Sequence, residues 1–357
     1  MPMAMFLAMI GCAAGVCVFG ECDRHLHAEP THTAIKESQA HQLSHQLSHQ
    51  LSPQISGPIE IPISTQTGHI VMEAWIEGDG PHWFVLDTGN QQTTIYASMA
   101  DRLGLETKHL GQLTGAGSGS MSVQMANDVR VGFGAASDEG ERTGFVECEA
   151  TVLPDAAMLP AFGDKTVTGF LGGSMIEQFV TSIDYGRDRL VLTPHDEYTV
   201  PEGATVMEMK LAFGFPYFEG SVVPMLNGEA LEPVVGNYLF DLGAAYGVEI
   251  DYEHAKAAGL VDADDPEQKI RGKGQGIDGV IFEMRLAPAD SISMGGVEFD
   301  DREVLFMSTP GGGPPIENLV GAVGSGSFEG MVVTLDYAGE RLILTPSSDQ
   351  SQDQDSD

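Results

Sequence analysis

The chain has 357 residues, 42% of them hydrophobic and 44 of them glycine, enough to bury a sizeable core and to divide into two domains. Its 17 Lys+Arg stand against 52 Asp+Glu, a formal net charge of -35, and such a field repels phosphate backbones and anionic membrane surfaces. Nucleic acid is therefore excluded as an expected partner, and the acidic surface otherwise speaks for solubility rather than for any chemistry.

In chain order, residues 1–22 come first. No charged residue occurs from Met1 to Gly20, and "MFLAMIGCAAGVCVFG" has the small, apolar character of a signal-peptide core or a short anchor. The expected location is outside the cytoplasm: periplasmic, cell-envelope or secreted. Cys12, after Ile10-Gly11, offers lipid acylation as a third route. Cys12, Cys17 and Cys22 all lie in or beside this segment, which leaves Cys148 in "FVECEATV", where it reads as a half-buried strand residue. Neither a disulfide framework nor thiol chemistry is expected.

Residues 23–56 read as a polar linker rich in His, Gln and Ser. It contains "HQLSHQLSHQLS", whose His41, His45 and His49 would stack on one face if helical. Metal capture is conceivable there, but no Cys or carboxylate completes a ligand set, so a low-complexity spacer is the expectation. From Gly57 onward short β runs alternate with Gly, Pro, Asn and Asp: "GHIVMEAWI", "HWFVLD", "SVQMANDVRVGF", "ECEATVL", "FVTSIDY" and "RLVLTP". Helical signals are few. "YASMADRLGL" and "YEHAKAAGL" each offer about two turns stopped at a Gly-Leu. Residues 348–357 form an acidic tail, disordered by composition.

The two halves of this β region echo each other. "TSIDYGRDRLVLTP" from Thr181 matches "VTLDYAGERLILTP" from Val333 (333 − 181 = 152), and "GFLGGS" from Gly169 matches "GAVGSG" from Gly321 (321 − 169 = 152). "WFVLDTG" and "YLFDLG" end at Gly89 and Gly243, and "ADRLGL" and "AKAAGL" end at Leu105 and Leu260. Four blocks in one order predict a duplicated unit, with a first lobe over 57–198 and a second over 199–347.

Each lobe carries an apolar strand ending in Asp-x-Gly, a short helix, a Gly-rich hairpin, and two apolar residues before a distant Gly. The Asp-to-Gly separations are 85 (172 − 87) and 83 (324 − 241). "VLDTG" with "GFLGG" downstream resembles the retropepsin-like aspartic proteases, and two such lobes in tandem resemble the duplicated form found in some exported bacterial proteins. The resemblance covers nearly everything from Gly57 to Pro346. It implies an all-β fold of two acid-protease β-barrel lobes related by a pseudo-twofold, each with one short helix. It also implies an aspartic endopeptidase acting on peptide or protein substrates as a monomer, without metal or cofactor.

Carried onto this chain, the resemblance makes Asp87 and Asp241 the catalytic pair. Two nearby carboxyls cannot both ionise, so one can serve as base toward a water while the other, protonated, hydrogen-bonds the scissile carbonyl. Gly89 and Gly243 would let the chain turn and expose N–H groups to the carboxylates, and Gly172 and Gly324 would leave space behind the turns. Thr88 would send its hydroxyl across the axis to the opposite turn. Position 242 is Leu and has no hydroxyl to return that bond. Three outcomes stay open: an asymmetric working dyad, a degenerate protein that binds peptides without cleaving them, and a dyad formed between the first lobes of two chains.

The Gly-rich hairpins would be flaps that exclude water over a bound substrate. Thr114, Gly115, Ala116 and Gly117 are the candidates in the first lobe, and Gly272, Lys273 and Gly274 in the second. Asp184 and Asp336 repeat in "IDY" and "LDY", where pairing with Arg189 and Arg341 or a turn cap is expected instead of catalysis. No Gly-x-Ser-x-Gly or His-Glu-x-x-His is present to support serine or zinc hydrolysis.

Overall fold

Alternation of buried and exposed side chains sets the architecture. Ile59, Ile61 and Ile63 face inward while Glu60 and Pro62 face water, the two-residue period of a half-buried strand. The structure is a computed structural model and describes residues 57–114, 120–136, 142–157, 162, 164–261, 270–275, 281–299, 303–307 and 313–347. The leader, the His41, His45 and His49 repeat and the acidic tail lie outside the described residues.

The first half contains β1 (Ile59–Ser64), β2 (Val71–Ile76), β3 (Asp79–Leu86), β4 (Thr93–Tyr96), β5 (Thr107–Thr114), β6 (Ser120–Ala136), β7 (Arg142–Leu153), β8 (Val167–Leu171), β9 (Val180–Asp184) and β10 (Arg189–Thr193). The second begins with β11 (Thr205–Glu208), β12 (Lys210–Ala212), β13 (Phe215–Leu226), β14 (Glu229–Ala230), β15 (Val234–Asp241) and β16 (Val248–Ile250). It continues with β17 (Ile270–Gln275), β18 (Ile281–Met294), β19 (Val297–Phe299), β20 (Glu303–Met307), β21 (Leu319–Gly324), β22 (Met331–Asp336) and β23 (Arg341–Pro346).

Two rings of strands close on themselves. One runs β2-β3-β8-β4-β7-β6 and returns to β2; the other runs β13-β15-β21-β16-β20-β18 and returns to β13. Closure leaves no unpaired edge within a ring, and the inward faces supply the main core, including Phe84, Leu86 and Phe133 in one and Phe218, Phe240 and Phe306 in the other. Beneath both rings lies a shared sheet in the order β11-β23-β22-β9-β10-β1.

That sheet locates the axis between the halves. At its centre β9 and β22 run antiparallel, with Ser182 opposite Thr334, Val180 opposite Asp336 and Asp184 opposite Val332. The hydroxyls of Ser182 and Thr334 lie 2.8 Å apart, so the pseudo-twofold passes through this pair. Asp336 accepts from Arg341 Nε at 2.8 Å and from the Gly339 N–H at 2.9 Å, and Asp184 lies 3.6 Å from both Arg187 and Arg189. Both carboxylates close turns at the sheet ends, as expected from their sequence context.

Among the described residues helices are few: α1 (Ala97–Leu103), α2 (Gly173–Ile176) and α3 (Tyr252–Ala257). Gly104 stops α1 in the left-handed region at φ 67, and Asp251 caps α3 by accepting from the His254 N–H at 2.8 Å. The expectation of one short helix per lobe is exceeded in the first. α2 spans four residues, too few for a helical period to show, and its counterpart at Ser325–Phe328 is a single 3-10 turn. Among the described residues no helix is long and apolar enough to cross a membrane.

Candidate active site

The site begins where β3 and β15 end. Leu86 pairs with Leu171 in parallel, Asp241 pairs with Gly324, and the Asp87 N–H donates to Leu171 O at 2.9 Å. The chain then turns back in each lobe. In the first, the N–H groups of Gly173 and Ser174 donate to Asn90 O and Gln91 O, both at 2.8 Å. In the second, Gly324, Ser325 and Gly326 donate to Gly247 O, Ala244 O and Tyr246 O at 2.7, 2.9 and 2.9 Å. A Cβ on Gly172 would lie 2.3 Å from Gln92 O, and one on Gly324 would lie 2.3 Å from Tyr246 O. Both glycines are present because main-chain oxygens occupy the space of a side chain.

The two turns meet. The Asp241 carboxyl packs against Gly89, whose N–H holds the Asp87 carboxyl, so the two acids face each other across the axis; both are buried, at 0% and 2% exposure. Gly89 N–H donates to Asp87 Oδ1 and Gly243 N–H to Asp241 Oδ1, each at 2.9 Å. A Cβ on Gly89 would sit 2.6 Å from Asp241 Oδ1, so this glycine is what lets the opposite carboxyl approach.

The environments of the pair differ. The Asn90 amide donates to Asp87 Oδ2, whereas Ala244 holds the matching place after Asp241 and has nothing to donate. Burial pushes the Asp87 carboxyl up to about 6, opposed by hydrogen bonds from Asp241, Asn90 and the turn. Burial raises Asp241 well above the usual carboxylate range, and the charge of Asp87 pushes it in the same direction. Both carboxyls are thus held above the usual carboxylate range, chiefly by burial, and the pair titrates as a unit.

Thr88 crosses the axis. Its hydroxyl donates to Phe240 O at 2.6 Å and accepts from the Leu242 N–H at 2.9 Å. Leu242 is fully buried in the core and returns nothing, so the lock between the turns is one-sided. Thr88→Val preserves the shape and strands two buried main-chain groups, at about 1–3 kcal/mol each. The expected result is a lower midpoint in denaturant unfolding together with weakened activity.

Each lobe also leans on the other's turn. Ser325 Oγ donates to Gly68 O at 2.6 Å, and a Cβ on Gly68 would meet Ala245 at 2.8 Å. In the reciprocal place, a Cβ on Gly173 would lie 3.1 Å from Gly214 O. The carboxyl pair is thus held by contacts repeated about the axis.

Of the flap candidates, Thr114 ends β5 opposite Ser120, while Gly115, Ala116 and Gly117 lie outside the described residues. Gly272, Lys273 and Gly274 lie within β17, opposite Met284, Glu283 and Phe282, on one arm of a hairpin with β18. Leu113 and Val123 from the first hairpin share an apolar cluster with Met284 from the second and with Ala244 and Tyr246 from the second turn.

Asn90 and the buried Glu249 were not singled out from the sequence. Asn90 was within reach, since Asn is a residue of tight turns and this one stands three places after Asp87, near enough to meet its carboxyl. Glu249 carried only the weak signal of an acid inside an apolar strand.

Buried acids make stability depend on pH. Burial raises Glu249 to about 7 and Asp87 to about 6, so the folded chain holds protons that the unfolded chain has lost above roughly pH 4.5. Their stabilising contribution is complete in acid and is lost as pH climbs through about 6 to 7. Thermal unfolding is expected at a higher temperature at pH about 5 than at pH about 8; the reverse order would contradict the burial of these groups.

Two closed barrels astride a shared sheet, each with an Asp-x-Gly turn at the axis, define the two-lobed acid-protease architecture. Residues 72–174, which hold Asp87 and Gly172, match the model of the aspartyl protease family, and this bears out the likeness to retropepsin-like aspartic proteases. Among solved structures, basic 7S globulin from soybean is similar at 8% identity and TM-score 0.46, over 85% of this chain and 97% of that one. Conglutin gamma from lupine seeds is similar at 9% and 0.44, over 84% and 96%. An aspartic proteinase from Irpex lacteus is similar at 11% and 0.45, over 83% and 99%. No curated protein matches in sequence.

Proposed function

We propose that this protein is an aspartic endopeptidase in which Asp87 and Asp241 of one chain activate a water between them. The observation that carries the reading is the meeting of two buried carboxyls across one glycine, Gly89, in unequal surroundings: Asp87 has the Asn90 amide and Asp241 has no counterpart to it. Ionised Asp87 takes a proton from the water as its oxygen bonds to the peptide carbon, and Asp241 gives its proton to the carbonyl oxygen. The tetrahedral diol then collapses: Asp87 passes its proton to the departing nitrogen, the C–N bond breaks, and Asp241 recovers its proton from the diol oxygen. Because one chain supplies both carboxyls, a monomer suffices. The segment over residues 1–22 supports action outside the cytoplasm, and the repeated blocks support an origin of lobes 57–198 and 199–347 by duplication.

The second reading is a peptide-binding protein that no longer cleaves, and the one-sided Thr88 lock favours it. Digestion of denatured casein between pH about 4 and 8 separates the two. Cleavage is expected to rise as pH climbs through about 6, where Asp87 ionises, and to fall again when Asp241 loses its proton. Absence of new peptides at every pH, with calorimetric binding of the same casein fragments, would overturn the protease reading in favour of the binder.

A further inference from the structure

The second lobe departs from the first at one buried position close to Asp241. In the first lobe Thr94 pairs with Phe170, and its carbonyl closes on Gly169; in the second, Glu249 pairs with Ala322, and its carbonyl closes on Gly321. Glu249 therefore occupies the place of Thr94, a carboxyl where the other lobe has a short neutral hydroxyl. It is only 5% exposed, and its strand neighbours Val248 and Ile250 face the main core.

A buried acid needs a partner, and this one has it in the catalytic loop: the Tyr246 hydroxyl donates to Glu249 Oε2. Tyr246 stands five residues after Asp241 (246 − 241 = 5), and its carbonyl accepts the Gly326 N–H at 2.9 Å. Carboxyl, phenol and Asp241 turn are thus bonded into one unit. Leu239 and Glu249 both pair with Ala322, and Asp241 follows Leu239 by two residues, so Glu249 and Asp241 lie on one face of the sheet; Asp251, whose charge also acts on Glu249, is bonded to His254 Nδ1 at 2.8 Å. The residues paired directly with Glu249, Leu305 of β20 and Ala322 of β21, carry no charge.

We infer that Glu249 is a third carboxyl of the site, a positioning residue that fixes the second turn through Tyr246 and, when ionised, holds the shared proton on Asp241. The role rests on the proposed protease reading. Burial raises Glu249 to about 7, the Tyr246 bond works against that rise, and the charge of Asp251 adds to it. The Glu249 charge in turn is one of the influences that raise Asp241. An anion beside Asp241 makes the second deprotonation of the pair harder, so the monoanionic, working form survives to higher pH.

The test compares kcat/KM against pH for the wild type, Glu249→Gln and Glu249→Thr. Gln keeps an acceptor for Tyr246 without the charge, and Thr restores the first-lobe residue. In Glu249→Gln the alkaline limb is expected to fall by about half to one pH unit, a roughly three- to tenfold loss on that limb, with the acid limb in place. An unshifted profile, or one scaled down equally at every pH as lost packing would give, overturns the role. Carboxyl-13C aspartate resonances of the wild type and Glu249→Gln, assigned with Asp241→Asn, give a readout independent of turnover. The Asp241 signal is expected to titrate lower in Glu249→Gln. That shift in a protein that cleaves nothing would sink the protease reading while keeping Glu249's influence on Asp241; no shift in an active enzyme would sink the Glu249 role alone.

Discussion

Asp87→Asn and Asp241→Asn are each expected to lower kcat/KM for a peptide substrate by about 10²–10⁴-fold, the range that a positioned acid or base contributes. The two carboxyls act as a unit, so the double variant should be little worse than either single one. Both variants should remain folded, because Asn keeps the side-chain shape and lightens the cost of burying two acids in contact. Mixing the two inactive proteins adds a second discrimination. With both carboxyls drawn from one chain, no activity should return, whereas recovery would mean that the first lobe of one chain had paired with the second lobe of another. Loss with Asp87→Asn but not with Asp241→Asn would mean instead that the first lobes of two chains pair.

Gly172→Ala carries the second-largest expected effect. Its new Cβ would lie 2.3 Å from Gln92 O and 2.8 Å from Asn90 O, main-chain atoms of the turn that carries Asp87. Those oxygens cannot swing aside as a side chain would, because Asn90 O is already tied to the Gly173 N–H at 2.8 Å. The turn must shift as a body. Overpacking of this kind costs about 1–3 kcal/mol, and displacement of a catalytic group by about 1 Å costs about 10²-fold in rate. Gly324→Ala should behave alike, since Tyr246 O and Ala244 O lie 2.3 and 2.7 Å from its added carbon. Near-normal kcat/KM with either alanine would show that the turns do not set the carboxyl geometry. Urea unfolding beside the kinetics separates the stability loss from the rate loss.

Much of this arrangement was legible in the chain because it depends on short-range patterns. The apolar runs before Asp87 and Asp241 had to be strands, and the repeated "RLVLTP" and "RLILTP" became the matching strands of the shared sheet, β10 and β23. The reach of Thr88 across the axis came with the likeness to the retropepsin-like proteases, and the missing reply from the absence of a hydroxyl on Leu242. What stayed hidden depends on three-dimensional neighbours. α2 is a helix only because its first N–H groups are captured by the Asp87 turn, and nothing in "GGSM" gives a helical period. Glu249 looks like any charged residue in a strand until Tyr246 is folded onto it. That two nearby acids would share a proton was readable from the paired motifs, but the larger cause of their rise, burial, is not revealed by sequence spacing.

The central claim, hydrolysis by a water set between Asp87 and Asp241, is tested most directly by digesting a protein substrate in 18O-enriched water with mass spectrometry of the products. New C-terminal carboxyls that each carry one 18O, in fragments that vanish with Asp87→Asn and with Asp241→Asn, are the predicted result. No new termini from the wild type, or the same labelled fragments from either variant at the wild-type rate, would contradict it.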